Sequence, residues 1–335
     1  MERIEVSCNI CGSNDSRLLV VKNSFRVVKC QECGLVYVNP RLTEEALGSI
    51  YSEDYHTDSP DEVKEERREF FKEKIAWMNQ YQSRGKILDV GCSTGLFLQE
   101  AKAAGWDAYG IDISEEAAQY ARRNYGLEVT AGKLNESKFE PAFFDAVTFW
   151  DSLEHVPDPY QDLLKAREIL KPDGFIFIST PNIDGLIPRT TYCLCGKTFG
   201  IWEHPTPPGH IYQFSQKTLT ALLNKAGFDL LDSYSENIPF RYTLGKLEEA
   251  VIDKIKAWRG EKRDDPKFHQ GSYLGEVESV KDKALSKHPS GSIHRRIIRL
   301  LIRTCSWLAL FPLYHLTNFL KKGGDSIFVV ARNSQ

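Results

Sequence analysis

From residue 86 onward, apolar runs of strand length alternate with stretches whose apolar positions recur every three to four residues. KILDVG (86–91) reads as a buried strand ending in glycine, and 96–104 as a helix stopped by Gly105. DAYGIDIS (107–114) is the next strand, and Ser114 caps a helix that ends near Gly126. LEVTAG (127–132), FDAVTFWD (144–151), a helix over 158–170 and GFIFISTPN (174–182) follow. A helix over 216–226 closed by Gly227, the strand FDLLDSYS (228–235) and the late strand SIFVVARN (326–333) complete the pattern. The alternation predicts an α/β fold with a Rossmann-like, doubly wound, mostly parallel sheet. Ligands of such sheets bind beyond the carboxyl ends of the strands, where the strand order reverses.

Two different segments precede this core. Residues 43–82 are polar and charge-dense, but Phe70, Phe71, Ile75, Trp77, Met78 and Tyr81 fall at roughly helical spacing. That pattern reads as an amphipathic helix leading into the core or, the blander account and the one favoured, as a solvated linker helix and no more. Upstream, two short strands (18–21 and 25–29) are too small to bury a core. Around them stand four cysteines spaced C-x2-C-x18-C-x2-C: Cys8, Cys11, Cys30 and Cys33. Each pair offers two thiolates from one tight turn, and two such knuckles complete a tetrahedron around Zn²⁺. With no open position the metal is expected to be structural, supplying folding energy to a self-contained ribbon whose loss spares the rest. Cys92, Cys193, Cys195 and Cys305 fit no such pattern.

Composition narrows the class. The 335 residues are 41% apolar and 27% charged, ordinary for a globular chain with room for one large domain and small additions. A net charge of -3 gives no general attraction to nucleic acid or anionic lipid. The start MERIEVSCNICGS lacks the apolar core of a secretory signal, so a cytoplasmic protein with reduced thiols is expected.

The first strand–turn–helix carries the most informative motif, Asp89-Val90-Gly91-Cys92-Ser93-Thr94-Gly95. Its glycines let a ligand approach the backbone, and the free N–H groups opening the helix suit an anionic end. Asp112 closes the second strand 23 residues after Asp89, placed to accept from two ribose hydroxyls. A dinucleotide fingerprint needs glycines where this chain has Ser93 and Leu96. A nucleoside with a carboxylate rather than a pyrophosphate fits better.

These residues resemble a family. LDVGCSTG is similar to the first motif of the class I methyltransferases, usually LDxGCGTG, with Ser93 in place of a glycine. YGIDIS, FDAVTFWDSLEHVPDP and LKPDGFIFISTPN resemble their later motifs. CQECGLVYVNPRLTEEAL and HIYQFSQKTLTALLNKAGF look like a branch in which a zinc ribbon precedes the domain. The resemblance implies a sheet whose last strand returns antiparallel, and S-adenosylmethionine as cofactor. It places Asp89, Gly91, Cys92, Ser93 and Gly95 around the methionine part and Asp112 on the ribose. Ile113 and Leu134 fall beside the adenine, and Trp150 lines the same pocket. Lys133 stands near where the family often has an acidic residue.

Base candidates lie on the loops after the fourth and fifth strands. Asp151, Glu154 and His155 in DSLEHV resemble the metal ligands of ubiquinone-pathway O-methyltransferases. Three roles are open: ligands of a divalent cation such as Mg²⁺, a direct base at His155, or shaping of the cofactor pocket. After the fifth strand Trp202, Glu203, His204, His210 and Tyr212 crowd a proline-rich loop, with His210 either a base or a packing residue.

About ninety residues separate the sixth strand from the last, where a hairpin would suffice. This insertion begins and ends at the mouth of the site. Its first part, 254–292, is charged with mixed sign and expected to be loosely ordered. Its second part pairs Arg295, Arg296, Arg299 and Arg303 with Ile297, Ile298, Leu300, Leu301, Trp307 and Phe311. Charges break any membrane span, leaving a lid, a dimer helix or an interfacial helix over 294–320 at the inner face of a membrane. The organisation expected is a ribbon (1–41), a helical connector (42–82), a methyltransferase domain (83–236 and 325–335) and an inserted lid (237–324). The function expected is O-methylation of a sugar-containing or lipid-linked small molecule. Alternatives are an RNA methyltransferase using its ribbon, against which the ribbon lacks an aromatic platform, or an inactive scaffold.

Overall fold

The computed structural model describes residues 2–52, 61–258, 293–320 and 322–334. The chain opens with strands β1 (Arg3–Ile4), β2 (Ser16–Lys22), β3 (Phe25–Cys30), β4 (Val36–Val38) and β5 (Arg41–Leu42). Helices α1 (Glu44–Ser52) and α2 (Asp61–Met78) lead to the alternating core. Its elements are β6 (Lys86–Val90), α3 (Leu96–Ala103), β7 (Asp107–Asp112), α4 (Glu115–Tyr125), β8 (Glu128–Ala131), β9 (Phe144–Trp150), α5 (Pro159–Ile169) and β10 (Leu170–Pro181). Two short helices, α6 (Leu186–Thr191) and α7 (Lys197–Phe199), precede β11 (Tyr212–Gln213), α8 (Gln216–Lys225) and β12 (Phe228–Glu236). The insertion supplies α9 (Phe240–Trp258) and α10 (Ile293–Leu320), and β13 (Ser326–Asn333) ends the fold.

The large sheet has seven strands in the order β12-β13-β10-β9-β6-β7-β8. β13 runs antiparallel to both neighbours, while β10, β9, β6, β7 and β8 pair parallel. The Rossmann-like sheet with its antiparallel last strand is therefore present. Local chemistry sets the helix ends. The Ser114 side chain accepts from the Ala117 N–H at the start of α4, and Gly126 closes it in a left-handed conformation. Asp158 caps α5 by accepting from Gln161 N–H, and Ser215 with Thr218 forms a reciprocal capping box on α8.

Both sheet faces are covered. Leu163, Ala166 and Ile169 of α5 and Leu219, Leu222 and Leu223 of α8 pack on one side, in the same core as Cys8, Ile10, Leu35 and Tyr37 of the N-terminal segment. On the other, Phe97, Leu98 and Ala101 of α3 and Ala118 and Ala121 of α4 meet Phe177 and Phe328. Helix α2 belongs to this second layer, which agrees with its reading as an amphipathic helix leading into the core and corrects the favoured one of a solvated linker. Ile75 and Met78 are buried, and the Trp77 ring meets Phe177 edge-on with centroids 5.4 Å apart. Lys74 is buried as well, donating to Glu236 (2.6 Å) and Tyr234 (3.2 Å) with its ammonium 3.9 Å from the Phe328 ring centroid. The charge density hid an apolar stripe wide enough to cover β10, β12 and β13.

Helices α9 and α10 pack on each other through Phe240, Leu247, Leu310, Phe311 and Tyr314, with Ile187 of α6 beneath. Arg303 holds Glu248 at 2.6 Å across this pair. Helix α9 runs to Trp258, so the stretch from 254 begins in ordered helix; residues 259–292 lie outside the described residues. The side chains of Arg295, Arg296, Ile297, Ile298, Arg299, Leu300 and Leu301 lie outside them too. Among the described residues no helix is long and apolar enough to cross a membrane.

The burial of α2 makes a direct prediction. Met78→Ala should lower the free energy of unfolding by about 2–5 kcal/mol in urea titrations, the range for emptying a core methionine site. A change below about 0.5 kcal/mol, as at a surface position, would mean α2 is detachable.

Candidate active site

The turn after β6 is built by backbone geometry. Gly91 and Gly95 have φ of 78° and 83°, and Ser93, where the resembling motif has glycine, also sits at positive φ, 49°. A Cβ at Gly91 would stand 2.7 Å from the Ser152 Cβ, so this position accepts only glycine without movement of the neighbouring loop. The Ser152 hydroxyl in turn donates to the Val90 carbonyl at 2.7 Å, fastening the loop after β9 to the turn after β6.

Asp112 ends β7 beside that turn. One carboxylate oxygen accepts from Ser93 N–H (2.7 Å) and the other from Ser114 N–H (2.9 Å). Burial raises its pKa, and the two N–H groups oppose the rise. Each oxygen keeps a further lone pair for a ligand hydroxyl. Asp89 lies deeper, accepting from the Thr148 hydroxyl at 2.7 Å. Burial pushes its carboxyl up to about 7, with the Thr148 bond opposing and the Asp112 charge adding.

The remaining residues of the expected crevice are distributed unevenly. Ile113 is 47% exposed, an apolar side chain open beside Asp112. Trp150 is buried against Phe97, ring centroids 5.4 Å apart. Cys92 and Leu134 are buried in the core, so their side chains are committed to packing. Lys133 pairs with Glu44 of α1 at 2.6 Å.

The loop after β9 folds its candidates apart. Asp151, at φ 47°, accepts from the Ser179 hydroxyl (3.0 Å) on β10. Glu154 and His155 turn the other way, toward His210. The His155 and His210 rings stand edge-on with centroids 4.6 Å apart, and His155 Nε2 lies 4.0 Å from a Glu154 oxygen. Glu154, His155 and His210 offer ligand atoms within 4.8 Å of one another, a group to which Asp151 does not belong. His155 Nδ1 is 3.1 Å from the Gly209 carbonyl, which can only accept, so Nδ1 carries the proton and Nε2 keeps its lone pair. Burial lowers the His155 pKa to about 4 against that bond, and holds His210 well below the usual range, with His155 adding.

The cysteines converge as their spacing predicts. The Sγ atoms of Cys8 and Cys33 are 3.4 Å apart and those of Cys11 and Cys30 3.5 Å, all four lying within 4.8 Å. Zinc–sulfur bonds of about 2.3 Å in a tetrahedron put sulfurs about 3.8 Å apart, so the donor set fits the ion. Burial pushes the Cys8 thiol up, a cost that a bound cation would reverse.

The ribbon is not self-contained, and this alters the expectation that its loss would spare the site. β11, from the histidine-bearing loop, pairs antiparallel with β4, completing a four-stranded sheet β11-β4-β3-β2. Ile211 and Tyr212 both donate to the Glu154 carbonyl (2.9 and 3.1 Å), and the Ile211 carbonyl accepts from Val38. Asn9, between the first two cysteines, donates to Asp158 and accepts from Tyr160 N–H, while Arg41 donates to the Pro157 carbonyl. Every one of these bonds ends on the 154–160 stretch or the loop facing it.

Beyond the expected residues, the fold adds a polar chamber lined by Glu203, His204, His210, Lys246 and Asp325. Glu203 and His204 stand in the crowded loop, but Lys246 and Asp325 come from the insertion and the last strand's approach. No sequence spacing links those to the site. The only hint is an aspartate directly before an apolar strand.

These features set a glycine turn after β6 beside a buried carboxylate at the end of β7. A family model described as a methyltransferase domain matches residues 63–233, just over half of the chain. The chain belongs to this family. Ubiquinone biosynthesis O-methyltransferase of Methylococcus capsulatus is 38% identical over 103 residues, 29% of this chain and 44% of that one. The protein of the same name from Yersinia enterocolitica is 36% identical over 105 residues, 29% and 43% of the two chains. The chain thus spans less than half the length of these curated relatives. Among solved structures, a SAM dependent methyltransferase from Archaeoglobus fulgidus has TM-score 0.44 at 16% identity, covering 79% of this chain and 94% of that one. Haemonchus contortus phospholethanolamine N-methyltransferase 2, in complex with phosphomonomethylethanolamine and S-adenosylhomocysteine, has TM-score 0.49 at 16% identity, covering 90% and 62%.

The buried carboxyls fix a pH dependence. Burial pushes Glu203 up to about 7 against an ordinary 4.5. The native state then binds this proton more tightly than the unfolded chain. The stability it contributes is full below about pH 4.5 and lost as pH rises through about 7. Histidines act oppositely: His204, held down to about 3 by burial and then by Lys246 and Lys22, favours the native state above its ordinary 6.5. Glu203→Gln cancels only the first effect. Relative to the wild type, it should gain unfolding free energy between about pH 5 and about pH 7.5 in chemical denaturation. An unchanged difference between the two proteins across that range would show Glu203 to be solvated.

Proposed function

We propose that this chain is an S-adenosylmethionine-dependent methyltransferase acting on an oxygen of a small molecule, in the class of sugar-containing or lipid-linked acceptors. The observation that carries the reading is Asp112. Its buried carboxylate is held by Ser93 and Ser114 N–H groups at the end of the second core strand, with one free lone pair on each oxygen. The family membership and the O-methyltransferase name of the partial relatives support the oxygen acceptor.

When bound, the cofactor supplies a methyl group on a sulfonium, which the acceptor oxygen takes as its C–O bond forms and the C–S bond breaks. The protein's own part is to bind and align. Asp112 accepts from the ribose hydroxyls, Ile113 covers one adenine face, and Gly91–Gly95 pass beneath the methionine part. Asp89 and Trp150 back that turn, with Cys92 and Leu134 contributing through their packed backbone. His155, with Nε2 unprotonated, receives the proton that the acceptor hydroxyl releases, and His210 and Glu154 position its ring. Asp151 acts from the other side of the loop, tying β9 to β10 through Ser179. The four cysteines hold one structural zinc ion that keeps the ribbon, and with it the 154–160 stretch, in place.

Two measurements test this reading. Asp112→Ala should weaken S-adenosylhomocysteine binding by roughly 1.5–3 kcal/mol in isothermal titration, the range for hydrogen bonds to a charged group. Wild-type protein that ignores this ligand, or a variant that binds it equally well, would remove the assignment. The double variant Cys8→Ser/Cys30→Ser should lose one zinc per chain by elemental analysis. Because the ribbon braces the site loop, it should also bind the same ligand more weakly. Undiminished affinity in zinc-free protein would show that ribbon and site are independent.

A further inference from the structure

The hairpin of α9 and α10 leaves one side of α10 uncovered. The two helices run antiparallel, with Phe240 beside Phe311 and Tyr314 and, further along, Glu248 beside Arg303. Leu310 and Thr317 of α10 are buried, Leu310 in a core shared with α9 and with Ile187 of α6. Cys305, Leu308, Pro312, Leu316 and Phe319 follow one another in steps of three and four residues, which puts them on one side of the helix, opposite Leu310 and Thr317. All five are exposed, Leu308 by 64%, Leu316 by 48% and Phe319 by 86%. At about 1.5 Å per residue this uncharged stripe is about 21 Å long.

Single exposed apolar side chains are ordinary, but a continuous stripe marks a surface that meets something. The charges around it say what. From Ile293 to Gly324 the sequence has no aspartate or glutamate. Helices α9 and α10 with Lys321 and Lys322 hold ten lysines and arginines against three acids, a net of +7 in a chain whose own net charge is -3. The basic excess and the apolar stripe therefore belong to the same hairpin, and the remainder of the chain is net acidic.

Three roles for the helix make different demands on this surface. A lid turns its apolar side to its own domain, and in α10 the side facing the domain is the one that carries Leu310 and Thr317. The outer stripe has no part in that contact. A two-fold dimer through the stripe would bring one +7 hairpin against another, within a Debye length of about 10 Å. An anionic bilayer meets both features at once: its acyl boundary takes the apolar side chains and its headgroups attract the basic excess. Trp258, which ends α9 and is 86% exposed, is of the residue type enriched at headgroup level.

We infer that α10 docks the protein on an anionic lipid surface, lying in the interface with Leu308, Leu316 and Phe319 toward the acyl chains. The helix does not cross the bilayer, since no described helix is long and apolar enough to do so. Its partner α9 lines the chamber beside His210 with Thr243 and Lys246, so the hairpin connects the lipid-facing stripe to the edge of the site. The inference stands apart from the methyl-transfer reading, because it concerns binding to lipid and not turnover.

Flotation of the full chain with lipid vesicles tests it. The protein should rise with phosphatidylcholine vesicles that hold about a third phosphatidylglycerol. It should bind several-fold less to phosphatidylcholine alone, or when salt is raised from about 0.1 to about 0.5 M. Leu308→Ser/Phe319→Ser, at two exposed positions, should weaken vesicle binding about tenfold or more, because two apolar side chains no longer enter the acyl boundary. An unchanged urea midpoint shows that this variant is folded. Protein that stays behind with anionic vesicles, binds phosphatidylcholine equally well, or keeps its affinity in the double variant would overturn the inference. So would a dimer in sedimentation equilibrium that the double variant loses, since a second copy would then fill the stripe.

Discussion

The carbonyl of Glu154 is where three parts of the molecule are tied together. It accepts from both Ile211 and Tyr212, whose strand β11 is paired to β4 of the ribbon. A single backbone acceptor thus joins the loop after the fourth core strand, the histidine loop and the cysteine-bound sheet. The side chains of Glu154, His155 and His210 are brought together because their backbones are so fixed. The ribbon reinforces this from the other end, through Asn9 on Asp158 and Tyr160 and Arg41 on Pro157.

Burial sets the electrostatics of the region more than any charge pair does. Asp89, Asp112, Glu203 and Asp325 have raised pKa values and His155, His204 and His210 lowered ones, with desolvation the largest cause in each case. The cost is a set of polar groups that the protein alone does not satisfy.

Elements whose signal is local were legible from the residues. The strand–helix alternation, the Ser114 and Gly126 caps and the C-x2-C pairs depend on neighbours within a few positions, and the structure places each where the pattern puts it. Helix α2 was read in the right place, but of its two readings the favoured one was the wrong one. Its many charges suggested solvent, whereas the stripe from Phe70 to Met78 faces the sheet and carries even Lys74 inward. Asp151 was grouped with Glu154 and His155 by the motif, and in the structure it accepts from Ser179 while Glu154 and His155 gather with His210.

By itself, then, the sequence determined the sheet and its crevice, the turn that requires Gly91, the acid at Asp112 and the four-thiol centre, because each follows from short-range periodicity or fixed spacing. Only the tertiary structure decided that His210 rather than Asp151 joins Glu154 and His155. It alone brought Glu203, Lys246 and Asp325 to one chamber and added β11, a strand from the histidine loop, to the ribbon's sheet. Those contacts join residues from tens of positions apart to the 175 that separate Tyr37 from Tyr212. Their partners are chosen by which surfaces meet when the sheet closes, a choice that no local pattern encodes.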